Sequence, residues 1–121
     1  MKMLWLAILL KVIWPIMLTT CFHDLIQKRV NEDDAFREAL LREGIDCLLA
    51  GDVETGKTVL RDYINATVGF EQLAEAVNTP PKSLMRMFSP CGNPQARNLF
   101  AVLTYLQKQA GVSLSVAVSK V

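Results

Sequence analysis

Residues 78–81 read Asn-Thr-Pro-Pro, and two consecutive prolines forbid one continuous helix through a stretch whose flanks are both helical in pattern. On the N-terminal side Phe70, Leu73, Ala74 and Val77 recur on one helical face. On the C-terminal side Leu84, Met87 and Phe88 do the same, and Pro81 fits the first turn of a helix, where its missing amide hydrogen costs nothing. The chain is thereby held to two short helices and a tight turn. Asn78 stands at the turn, and after glycine Asn is among the residues that best tolerate a left-handed backbone. Ala74 is small enough to let the two helices approach, with Leu73, Val77, Leu84 and Met87 as their shared apolar contact.

The same punctuation divides the rest. Asn31 is a candidate cap, with Asp33 and Asp34 in the first turn of a helix that turns Phe36, Ala39, Leu40, Cys47 and Leu48 inward and stops at Gly51. Asp52 then caps a helix carrying Val59, Leu60, Tyr63, Ile64 and Val68. After Ser-Pro-Cys-Gly, Asn93 and Pro94 read as a cap and first-turn pair for a last helix, with Leu99, Val102, Leu103, Leu106 and Ala110 inward and Gly111 as its stop. Val112, Leu114, Val116 and Val118 alternate with small residues, the period of a strand with one buried face. The expectation is an all-α bundle of about five short helices with a short C-terminal strand. Its divisions are an apolar segment at 1–20, an acidic helical region at 21–51, a helix-turn-helix bundle at 52–111 and a tail at 112–121.

Residues 51–58, "GDVETGKT", fit the phosphate-loop pattern G-x-x-x-x-G-K-[ST] at every required position. That chemistry requires a buried strand leading into the loop, yet the preceding "FREALLREGIDCLLA" is helical in period. Of the later aspartates only Asp62 remains, in the middle of a helix. A nucleotide-binding protein is the weaker reading, and it predicts ATP or GTP binding that Lys57→Ala would abolish. Cys21, Cys47 and Cys91 are odd in number and widely spaced, and His23 is the single histidine, so a zinc site, a disulfide framework or a Cys-His nucleophile has little to stand on.

The opening "MKMLWLAILLKVIWPIML" admits three readings: a short membrane segment interrupted by Lys11, a secretion signal without a cleavage box, or sequence upstream of a start at Met17. The third is favoured, and a membrane-anchored regulator follows if Met1 is the start. Charge is uneven. Residues 17–56 carry four basic and nine acidic side chains, net −5, and residues 57–121 carry seven basic and three acidic, net +4. An acidic front and a basic back suit two partners of opposite sign.

The runs "LLAGD" at 48–52, "LRDYINATVGFEQLA" at 60–74, "PKSLMRMFSPCGNP" at 81–94 and "VLTYLQKQAGVSLSV" at the end closely resemble bacterial addiction-module antidote proteins with a lambda-repressor-like (XRE-type) helix-turn-helix. The resemblance covers about two-thirds of the chain. It implies a cytoplasmic, non-enzymatic protein that binds operator DNA at its own operon and neutralises a small toxin of the RelE/ParE-like type. It implies no nucleotide role for the "GD…GK" run, and no cofactor, metal or small-molecule substrate. In the motif's geometry Lys82, Ser83 and Arg86 face the major groove, with Met85 between them. Gln72, Asn93 and Arg97, near helix starts, are candidates for phosphate contact. So few polar residues make the reading of one copy thin, so a homodimer is expected, joined through the helix at 96–109 or the tail strand. The competing reading is a module whose acidic half binds a basic protein without touching DNA.

Overall fold

The computed structural model describes Lys28 and residues 32–120. The apolar segment at 1–20, Cys21, His23 and the expected Asn31 cap lie outside the described residues. Helix α1, Asp34–Leu49, begins where the Asp33 carboxylate accepts the Phe36 N–H at 3.2 Å, and the exposed Asp34 pairs with Arg37 at 3.1 Å. It ends at Gly51, whose φ of +87° lets the chain reverse, while the Asp52 N–H closes back on the Cys47 carbonyl at 2.9 Å. Asp52 then caps α2, Val53–Ala66, by accepting the Thr55 N–H at 3.3 Å.

Helices α1 and α2 pack against each other along a seam of small residues. A Cβ on Gly56 would lie 2.8 Å from Leu48 Cδ2 and 3.2 Å from the Gly44 carbonyl, and one on Gly44 would lie 3.0 Å from Leu60. The two glycines therefore set the distance between the helices. Three more helices follow: α3 at Phe70–Val77, α4 at Pro81–Met87 and α5 at Ala96–Ala110. Helix α3 packs on both α4 and α5.

One core joins all five. Leu40, Leu41, Val59, Leu60, Ile64, Leu73, Leu84, Phe88, Val102 and Leu106 are buried together, each contributing on the order of 2 kcal/mol by removal from water. The acidic front helix thus shares its core with the helices that follow, as Phe36, Leu40 and Leu41 show. The fold is a small all-α bundle, as the pattern predicts. Among the described residues no helix is long and apolar enough to cross a membrane.

Two expectations are corrected. Helix α5 starts at Ala96 with Gln95 as an extended N-cap (φ −72°, ψ 144°), so Asn93 and Pro94 form neither a cap nor a first turn. The Ser89–Gly92 turn folds back on the end of α4, its Gly92 N–H on the Ser89 carbonyl at 3.0 Å, and the next residues run extended to reach α5. The second correction is the tail: residues 112–120 form no strand. A ladder needs a second strand, and none lies among the described residues. The alternation instead records Val112 and Leu114 packing on the core, the latter fixed by its N–H to Gln107 Oε1 at 2.8 Å. Val116 and Val118 are 70% and 95% exposed.

Candidate nucleic-acid interface

The phosphate-loop pattern crosses the junction of two helices. Gly51 ends α1, Asp52 caps α2, and Gly56, Lys57 and Thr58 lie inside α2. Thr58 Oγ1 donates to the Glu54 carbonyl at 3.0 Å. Lys57 is buried, its ammonium donating to the carbonyls of Ser89 at 3.0 Å and Gly92 at 2.8 Å and pairing with Glu54 at 3.1 Å. Backbone amides in a loop, an exposed lysine and a hydroxyl aimed at a metal are what a phosphate cradle requires. Here the hydroxyl and ammonium bond within the chain, and Gly56 is buried against Leu48.

The second junction is built differently. Asn78 adopts the left-handed conformation (φ 54°, ψ 47°) and its N–H closes on the Ala74 carbonyl. Thr79 N–H reaches the same carbonyl at 3.0 Å, and the Pro80 carbonyl accepts the N–H groups of Ser83 and Leu84 at the start of α4. Ala74 is buried, as a close approach of α3 and α4 requires. Leu73 and Leu84 lie in the core, Val77 and Met87 pack half-buried against it, and the rings of Phe70 and Phe88 meet with centroids 6.1 Å apart. Two short helices thus meet across a tight turn. The second helix is pinned by Leu84 and Phe88 and turns Lys82, Ser83, Met85 and Arg86 to solvent on its other side.

The remaining sequence-derived candidates are more scattered. Gln72, in the first turn of α3, is exposed, but its Nε2 donates to Tyr105 Oη at 2.9 Å and ties α3 to α5. Asn93 is exposed and follows Gly92, which sits against the end of α4. Arg97 is exposed in the first turn of α5. Lys82, Ser83 and Arg86 therefore share one face, Asn93 follows the turn at its end, and among the described residues no hydrogen bond or ion pair joins Gln72 or Arg97 to that face.

Two features escaped the reading of the sequence. From residue 76 to the end there is no Asp or Glu, against five basic residues, so α4 and α5 are acid-free; a local charge count would have found this. The burial of Lys57 left no local signal, because its two carbonyl partners lie 32 and 35 residues further along. On another side, α1, α2 and α5 border a cleft of about 240 Å³ lined by Arg37, Tyr63, Thr67, Leu106 and Gln109. Burial pushes the Tyr63 phenol above its ordinary value, with Arg37 opposing and Glu38 reinforcing the shift. In comparisons with known proteins, no family model, no curated protein and no solved structure matches this chain.

Proposed function

We propose that this chain is a sequence-specific DNA-binding regulator of the addiction-module antidote type, cytoplasmic and dimeric, which represses its own operon and neutralises a small basic toxin of the RelE/ParE-like class. The observation that carries the reading is α4: a pinned seven-residue helix whose solvent face offers Lys82, Ser83 and Arg86 with no acidic side chain in the element. A major groove admits a helix, Arg reaches guanine bidentately, and Lys meets phosphate or guanine. Met85 is 47% exposed between them, and in this reading it meets a thymine methyl.

Fluorescence anisotropy of the chain on DNA from its own upstream region, beside scrambled DNA at two salt concentrations, tests the proposal. The upstream DNA binds preferentially, and binding weakens with salt as phosphate contacts release counterions. The Lys82→Ala/Arg86→Ala variant loses roughly a hundredfold in specific affinity, each lost base or phosphate contact being worth about 1–3 kcal/mol, while its unfolding midpoint is unchanged. Equal binding to both DNAs, with the variant unaltered, refutes it. The exposed acids Asp34, Glu38 and Asp46 of α1, with a 63% exposed Leu49 one turn beyond Asp46, favour the second reading, a module for a basic protein. In that reading the double variant keeps full partner binding.

A further inference from the structure

Lys57 has three ammonium hydrogens and three partners: the Ser89 carbonyl at 3.0 Å, the Gly92 carbonyl at 2.8 Å and Glu54 Oε1 at 3.1 Å. Its side chain is 2% exposed. The two carbonyls belong to the turn that ends α4. Within that turn Ser89 N–H and Oγ–H both donate to the Arg86 carbonyl, at 3.1 and 2.7 Å, and Gly92 N–H donates to Ser89. Gly92 is pressed so closely on the helix end that a Cβ there would fall 1.9 Å from the Arg86 carbonyl oxygen and 2.8 Å from that of Met87.

A seven-residue helix is too short to hold itself, and α4 has no side-chain cap at its N-terminus. Leu84 and the following Phe88 bury its apolar side. The turn beyond them is held by polar atoms instead, and a cation beside a helix C-terminus has the favourable sign for that. We infer that Lys57 is a positioning residue for the interface: from α2 it anchors the turn that ends α4 and so fixes the direction in which Lys82 and Arg86 leave the surface. The lysine of the phosphate-loop pattern thus acts on carbonyls of its own chain. The inference rests on the DNA-binding reading above.

The test is Lys57→Met in the full chain, which keeps most of the buried stem and deletes the ammonium. Two readouts are taken. Without DNA, amide hydrogen exchange at Phe88, Ser89 and Gly92 quickens about tenfold, the order expected when charge-assisted hydrogen bonds are lost, while exchange at Leu60 and Ile64 holds. With DNA, affinity for the upstream sequence falls about tenfold. Affinity for scrambled DNA and the salt slope stay as in the parent, because no phosphate contact is removed, whereas Lys82→Ala lowers that slope by about one. A merely structural lysine would lower both affinities together through the folded fraction.

Unchanged discrimination in Lys57→Met overturns the inference. Should that variant fail to fold, Gly92→Ala decides, because it pushes the turn off the end of α4 while leaving the buried ammonium in place. Retained discrimination in Gly92→Ala overturns the inference equally. If the parent chain itself does not discriminate, the DNA-binding reading falls and takes the positioning role with it. The exchange measurement, which needs no DNA, still reports separately whether Lys57 anchors α4.

Discussion

The molecule contains two helix pairs, each joined by a short turn with a residue at positive φ, and they use their polar atoms in opposite ways. At the α1–α2 junction Asp52 caps α2, Lys57 is buried on carbonyls and Thr58 bonds back to its own helix. At the α3–α4 junction the apolar residues Leu73, Ala74 and Leu84 close the turn, and Lys82, Ser83 and Arg86 stand in solvent. The first pair carries a motif that spells chemistry and spends it on structure. The second carries no motif of that kind and leaves its charged groups available. What separates the two junctions is therefore where the polar atoms end, which a spacing pattern does not record.

The comparison breaks most severely if Gly56 tolerates bulk. Gly56→Leu would drive a side chain into Leu48 and the Gly44 carbonyl, and is expected to destabilise the fold by about 3 kcal/mol despite the gain in helix propensity. Urea unfolding measures it. A stable, well-folded variant would show that the α1–α2 seam is not set by its glycines.

The next effect in size concerns the other turn. Asn78→Ala keeps the β-carbon in left-handed backbone but loses the short polar side chain that makes Asn tolerant of it, and should cost about 1 kcal/mol, whereas Asn78→Gly should stay within about 0.5 kcal/mol of the parent. Thermal unfolding of the two variants, side by side, checks the sign. Equal stability would mean that the turn relaxes out of its left-handed conformation when Asn is removed.

The smallest effect lies in the shared core. Burial raises the Tyr63 phenol above 10.0, so the folded state favours its neutral form. The sign follows: the stability this supplies is complete below the unfolded value, near pH 10, and is lost as pH rises through the folded value. Near-ultraviolet absorbance should show Tyr63 ionising above pH 10, and Tyr63→Phe should remove that part of the alkaline loss. Ionisation of Tyr63 at the ordinary value in the folded chain contradicts it.

Much of this fold was legible because its signals are local. Prolines 80 and 81, Gly51 and Asp52 mark helix ends within one or two residues, and the left-handed Asn78 follows from its place in the turn. Helical period alone separated Leu84 from Lys82, Ser83 and Arg86. The failures were non-local. Asn93-Pro94 has the residue types of a helix start, but the Ser89–Gly92 turn packed on α4 makes the next residues span a gap, and α5 begins later. The alternating tail has the period of a strand without a second strand to pair with, and Leu114 bonds to Gln107 instead. Glu43, Lys57 and Asp62 are buried although their residue types belong at the surface, and only the packing of α1, α2 and the α4 turn accounts for their place.

The most direct test of the central claim, that the α4 face and not the first junction is the interface, is a nuclear magnetic resonance titration of the labelled full chain with a duplex from its upstream region. The amides of Lys82, Ser83, Met85 and Arg86 should shift most, followed by those of the 89–93 turn, with Gly51–Thr58 unmoved. Shifts concentrated at Gly51–Thr58 or along α1, with α4 silent, would contradict the account.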